Sequence, residues 1–380
     1  MKDKLLKLEM MRGFAALYVM VGHISQHYSL GFGSRLDHLL FTPFRFGQEA
    51  VILFFLISGF VIFYSTEKKC PDFATYLSHR WRRIYPIFLL TLGLISFDLV
   101  VLQSKPFPWT EFFGNVFMLQ DIEGKHPGAW FASFGGDQPL WSLAYEWWFY
   151  LLFYPIWRFV PAHRQRLTAA AVSFFGLLAY AFHPSQPYLY LTYFILWWTG
   201  AELARQYVAT GEVSLAGQRP TLAVLAGFVG LTAGTLLLAH HWNHWTPVLW
   251  QPRQAYPFIE IRHFSTGLAM LVGALVWQRF QWRGFNACFG IFKYAAPISY
   301  GIYALHFHIA INSSFFPFLP ADGAVKIIGV AAACVAAAWF AEGPFQKLVN
   351  RATRFLPNRT CGVAWKGGLN QPVNAPQNGR

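Results

Sequence analysis

Ten stretches of mainly apolar residues divide this chain, at roughly 11–30, 48–65, 84–102, 140–157, 167–183, 187–204, 221–239, 263–280, 297–316 and 323–345. A helix needs about 20 such residues to cross the hydrocarbon core of a bilayer. Lipid offers no hydrogen bonds, so a spanning segment must bond its own backbone, as a helix does. The pattern predicts an all-α polytopic membrane protein of about ten transmembrane helices. The segment EFFGNVFML (111–119) is too short to cross, and an interfacial or re-entrant position suits it.

Composition agrees. Hydrophobic residues make up 55% of the 380 and charged residues 12%, about half the usual charge of a soluble chain. Basic residues collect on cytoplasmic loops. With an inside N-terminus, 23 of the 30 Lys and Arg fall on the inner side, which predicts an N-in, C-in topology. The net charge of +13 then reads as topology, and no nucleic-acid partner is expected. Arg12 and His23 interrupt the first apolar run and no small-residue cleavage site follows, so the first span reads as uncleaved. Cys70, Cys288, Cys334 and Cys361 form neither a metal motif nor a disulfide framework. Residues 1–355 read as one transmembrane domain and 356–380 as a disordered cytoplasmic tail, poor in apolar residues.

Several ionisable groups sit where lipid penalises them. In RGFAALYVMVGH, Arg12 and His23 are eleven residues apart. A helix turns about 1100° over that interval, three turns plus roughly 20°, and rises about 16 Å. Both side chains therefore leave one face, Arg12 near the cytoplasmic surface and His23 at depth, with His27 following at i+4. A buried, hydrogen-bonded histidine and a functional one both fit. In HRWRRIYP (79–86), Arg80 and Arg83 share a helix face, which suits a phosphate and equally suits plain topology. In PLWSLAYEWWFYLLFYP (139–155), Glu146 needs a partner, either an arginine or a bound group.

Other features admit simpler readings. Glu342 can cap charge at the end of the last span, and Glu202 can pair with Arg205. His306 and His308 point to different faces. HHWNHW (240–245) has no Cys or carboxylate to complete a zinc site, so no metal is expected. Ser58 beside Gly59 suits close helix packing. Trp109 and Trp130 in the long outer loop 103–139 suit sugar stacking or an interfacial belt. No dinucleotide or P-loop glycine motif, HExxH or GxSxG occurs.

In this order, the motifs resemble the acyltransferase type 3 family of integral membrane enzymes. Arg12-x10-His23 is similar to its Arg/Lys-x10-His signature. VILFFLISGFVI (51–62) is similar to its SGF segment, and Arg80, Arg83 and Pro86 to its Arg-x-x-Arg run before a proline. WSLAYEWWFYL (141–151) resembles the segment that places an acid at Glu146, although the family often has two adjacent acids there, while here Tyr145 precedes Glu146 and Trp147 follows it. SYGIYALHF (299–307) and EGPFQKL (342–348) resemble its closing segments.

The resemblance implies a bacterial inner-membrane O-acyltransferase. Members move an acyl group, commonly acetyl, from acyl-CoA to a hydroxyl on a sugar, polysaccharide, antibiotic or lipid-linked glycan. The expected acceptor is an envelope or secreted glycan, an exopolysaccharide or lipopolysaccharide unit. His23 and Glu146 are then the expected catalytic residues, and Arg12, Arg80 and Arg83 the expected contacts to the CoA phosphates. The alternative is a transporter that uses the intramembrane ionisable residues as relays.

Overall fold

The computed structural model describes residues 2–30, 34–122, 124–243 and 258–357. Among them a helix occupies each of the ten apolar stretches: α1 (Lys2–His27), α2 (Gly47–Lys69), α3 (Phe73–Phe97), α4 (Trp141–Phe159), α5 (Ala162–Phe182), α6 (Gln186–Thr210), α7 (Leu215–Asn243), α8 (Phe258–Arg279), α9 (Ser299–Phe307) and α10 (Ala324–Phe340). Five helical stretches are long and apolar enough to cross a membrane: Leu39–Lys69, Phe73–Leu102, Ala162–Phe182, Phe258–Arg279 and Ala324–Ala352. Helix α4 is rich in Trp and Tyr, whose N–H and O–H groups lower its hydropathy although the rings are mostly apolar surface. Helix α9 runs only nine residues before the helical path widens.

Helices α6, α4 and α2 carry much of the core. Tyr193, Phe194, Trp197 and Trp198 of α6 are buried against Tyr145, Phe149 and Phe153 of α4. Glycines let α2 and α6 cross at backbone contact. A Cβ on Gly59 would stand 1.9 Å from the Trp197 carbonyl oxygen, and one on Gly200 1.9 Å from that of Leu56. The Ser58–Gly59 pair thus does pack helices closely, as small residues do in membranes. Large apolar side chains such as Phe159, Leu167, Phe182 and Ile328 face outward.

Side-chain pairings give the running directions. Ser58, Phe63 and Glu67 of α2 meet Glu146, Phe153 and Trp157 of α4 in order, so these helices run parallel. Tyr145 and Phe153 meet Tyr190 and Trp198, so α6 is parallel to both. Arg12 and His23 meet Ser299 and His306, so α1 and α9 run parallel, and Ile84 and Asp98 meet Tyr300 and Ser314, which aligns α3 with them. Helix α10 is antiparallel to α9, with Cys334 at His306 and Ala338 at Gly301. The odd-numbered helices α1, α3 and α9 form one set, the even-numbered α2, α4 and α6 another.

Three π-helical turns break the regular helices: Asp98–Leu102 after α3, His308–Asn312 after α9 and Ala341–Phe345 after α10. Each carries an ionisable residue, Asp98, His308 and Glu342. Such turns recur at functional sites. In the loop between α3 and α4, Trp109–Val116 is a short helix. Strands β1 (Gln120–Asp121) and β2 (Phe131–Ala132) pair in parallel, Gln120 opposite Phe131. Trp109 and Trp130 are exposed on this loop. The side chains of HHWNHW, with Glu123, Cys361 and nearly all of the 356–380 tail, lie outside the described residues.

Candidate functional site

The two helix sets enclose a cavity of about 180 Å³. Its wall includes Arg12 of α1, Arg80 and Arg83 of α3, and Ser299, Tyr300 and Tyr303 of α9. The facing wall includes Ser58 of α2 and Ser142, Glu146 and Tyr150 of α4. Four of the five residues singled out in the sequence, Arg12, Arg80, Arg83 and Glu146, therefore converge on one space. His23 does not line it.

Local structure positions each group. The carboxylate of Asp72 caps α3 by accepting the Thr75 N–H (2.8 Å), and the first turns of the helix deliver Arg80 and Arg83 on one face. Arg83 Nη1 donates to Glu342 Oε2 (2.6 Å), and Glu342 Oε1 accepts the Gly301 N–H (3.3 Å). Glu342 is thus the counter-ion of Arg83, a role stronger than a helix-end charge. Arg80 has no ion pair among the described residues. Its guanidinium lies over the rings of Tyr76 and Tyr150, and its Nε is buried without a hydrogen-bond partner. Arg12 donates from Nε to Ser299 Oγ (3.0 Å) and from Nη2 to Glu9 (2.7 Å) and the Ala296 carbonyl (3.3 Å). It ties α1 to the start of α9 while facing the cavity.

Glu146 pairs with hydroxyls, not with an arginine. Ser58 Oγ donates to its Oε1 at 2.6 Å and Tyr150 also donates to it. Ser58 in turn accepts the Trp197 indole N–H at 3.1 Å. The neighbouring Tyr145 points away from the cavity and donates to Asp121 Oδ2 at 2.8 Å.

His23 lies on the α1 face that also carries Arg12, as the helical period predicts. Its Nδ1 is 2.9 Å from His306 Nε2, and the rings are nearly parallel. The Phe307 ring meets His23 edge-on. The Cβ of any residue replacing Gly22 would collide with the Phe44 carbonyl, so this glycine lets the chain close over the end of α1. Tyr303, in the cavity wall, lies one helical turn before His306. Its hydroxyl bonds Ser142 Oγ (2.7 Å) and donates to the Pro139 carbonyl (2.9 Å). The cavity therefore ends one turn from the His23–His306 pair. His308 turns elsewhere, toward Asp98 at 3.5 Å.

A second polar cluster lies beneath the loop 103–139. Asp121 accepts His126 Nδ1–H (2.8 Å), the Ile122 N–H (2.7 Å) and the Tyr145 hydroxyl, and all these side chains are buried. His126 Nε2 stands 3.9 Å from Glu260, whose carboxylate has no hydrogen-bond partner among the described residues. His263 accepts or donates at Tyr193 (2.7 Å). Burial lowers the pKa of His126, but the charges of Asp121 and Glu260 and the bond to Asp121 outweigh it and raise the value overall, against a small opposing effect of Lys125. Among the described residues, no group of three His, Cys, Asp or Glu is arranged to hold a metal ion.

Sequence reasoning did not foresee the partnership of His306 with His23, or the cluster on Asp121. Spacing gave a signal for the first: residues 299 and 306 are seven apart, two turns on one face of α9. No comparable signal marks Asp121 and His126, which lie in a loop.

A family model described as an acyltransferase domain, that of the type 3 acyltransferases, matches residues 5–342. Acyltransferase MdmB of Streptomyces mycarofaciens is 30% identical over 178 residues, which cover 43% of this chain and 42% of that protein. The chain thus matches less than half the length of this curated relative. No solved structure matches. With its motifs gathered around one cavity and the family match running through nearly all of its helices, the chain belongs to the acyltransferase type 3 family.

Proposed function

We propose that this protein is a multi-pass bacterial inner-membrane acyltransferase that moves an acetyl group from acetyl-CoA to a sugar hydroxyl of an envelope or secreted glycan. About ten spans with both termini in the cytoplasm suit it, since the parallel pairings join helices of like parity. The observation that carries the reading is the cavity itself. It gathers Arg12, Arg80 and Arg83 at one end and reaches, through Ser142 and Tyr303, the turn that holds the partner of His23. Arginine forks suit the CoA phosphates. The pantetheine arm then runs along the cavity wall toward His23.

In the transfer step, His23 takes the proton of the acceptor hydroxyl as its oxygen attacks the thioester carbonyl. The C–S bond breaks, the ester forms, and the thiolate recovers the proton from His23. Glu146, held by Ser58 and Tyr150, fixes the opposite wall and fills a carboxylate role without a second acid. Arg12 both anchors α1 on α9 and flanks the donor.

The test uses membranes incubated with radiolabelled acetyl-CoA and total envelope glycans from cells lacking the protein. Covalent label that falls by at least about 10²-fold in His23→Ala supports the reading. Substrate flux without covalent labelling overturns it in favour of a transporter. Near wild-type labelling in His23→Ala removes His23 from the mechanism.

A further inference from the structure

We infer that His306 fixes the tautomer of His23 and leaves Nε2 as its basic atom, which makes His306 a positioning residue for the transfer. The inference rests on His23 acting as the base. It starts from backbone carbonyls. His306 is fully buried, and its Nδ1 lies 2.9 Å from the carbonyl oxygens of both Ile302 and Tyr303. A carbonyl oxygen only accepts, so Nδ1 carries the hydrogen. Histidines within 4.0 Å of a carboxylate do occur among the described residues, at His126 and His308, but neither His23 nor His306 is one of them. A second proton on His306 would be a buried charge without a counter-ion, which is costly. His306 is therefore neutral, and its Nε2 presents a bare lone pair.

That lone pair faces His23 Nδ1 at 2.9 Å. Two lone pairs cannot form this bond, so His23 Nδ1 carries a hydrogen and donates it. In neutral His23 the remaining lone pair is on Nε2. This nitrogen makes no hydrogen bond with the described residues. When it takes the hydroxyl proton, the imidazolium keeps its Nδ1–H on His306, and the relay ends on the peptide carbonyls of α9. Two further contacts hold the pair. The His23 ring is braced by Phe307, 4.9 Å between centroids at 89°, and the His306 carbonyl accepts the Cys334 thiol. An imidazole thus stands where hydrolase triads place a carboxylate, and a neutral acceptor supports the developing charge less strongly.

The experiment compares two His306 variants of similar size. Glutamine reaches the Nε2 position and offers an amide oxygen to His23, whereas leucine offers no acceptor. Full-length protein in membranes is assayed with radiolabelled acetyl-CoA and total envelope glycans. His306→Leu is expected to lose about 10²–10³-fold in kcat with the donor KM within about twofold. His306→Gln is expected to recover at least about tenfold of that loss. Should the leucine variant fail to elute as a single species from detergent, His306→Ile supplies the same contrast. Wild-type kcat in His306→Leu overturns the inference, and so does an equal loss in His306→Gln. His23→Ala separates the two ideas. If it retains activity, the base assignment fails; if it is inactive while His306→Leu is not, only the positioning role fails.

Discussion

The arginine-lined cavity and the cluster beneath the outer loop are both built from ionisable groups inside an apolar protein, yet they are finished differently. In the cavity, Arg80 lies on two tyrosine rings with no carboxylate partner among the described residues, and Glu146 is held by hydroxyls. Charge there is left facing open space. Beneath the loop, Asp121 receives three donors, and the side chains of His126 and Tyr145 that bond it are buried. A charge with spare bonding capacity beside a cavity awaits a ligand. A charge saturated by its own chain fastens that chain. The first region should therefore respond to mutation through donor binding, the second through stability.

The largest expected effect is on the outer cluster. Asp121→Ala leaves His126 and Tyr145 buried without their acceptor, a loss of about 3–5 kcal/mol by the usual cost of breaking a buried pair. The measurement is thermal unfolding of the detergent-purified protein. The donor KM of the fraction that remains folded should stay unchanged. A shifted KM with an unchanged Tm would break the division between the two regions.

Arg80→Ala should behave in the opposite way. A charge-assisted hydrogen bond is worth about 1.5–3 kcal/mol, so the donor KM should rise about 10–100-fold. With no ion pair to lose among the described residues, the Tm should hold. Arg83 lies between the extremes because it is bonded to Glu342, whose side chain is 6% exposed. Arg83→Ala should lower both donor affinity and Tm. Adding Glu342→Ala should restore part of the Tm and none of the affinity, with a coupling of about 0.5–3 kcal/mol in the cycle. Full recovery of donor binding in the double variant would assign Arg83 to structure alone.

The reach of the sequence follows the same division. Helical periodicity placed Arg12 and His23 on one face, and α1 puts them against Ser299 and His306 of a single neighbouring helix. The i, i+3 spacing likewise brought Arg80 and Arg83 to one wall. Regular helices transmit such information because their geometry is fixed. Partners from distant helices were not legible. The Glu342–Arg83 bond joins residues 259 positions apart, and its carboxylate is aimed by a π-helical turn that no apolar pattern marks. Tyr145 was legible only as a neighbour of Glu146 in a segment that lacks a second acid. Its hydroxyl reaches a loop aspartate, and loops carry no period from which such a meeting can be read.

The smallest expected effect tests whether the outer cluster contains an ion pair or merely a neutral hydrogen bond. The ordinary imidazole value is 6.5, and His126 is raised above it despite its burial, through Asp121 first and Glu260 second. A histidine whose folded value is raised contributes stability that is fully present below the unfolded value. That contribution disappears as pH climbs through the folded value. The Tm should therefore be flat on the acidic side of about 6.5 as far as this group is concerned, and should decline above it by an amount set by the raised value. His126→Asn keeps a donor for Asp121 but has nothing to titrate, so its Tm should start lower and lose this alkaline slope. A wild-type Tm that climbs with pH up to about 6.5 and levels off above it in the same buffers, while His126→Asn stays flat, reverses the sign. It would mean that burial, not Asp121, governs the imidazole, and the outer cluster would then be fastened by neutral hydrogen bonds alone.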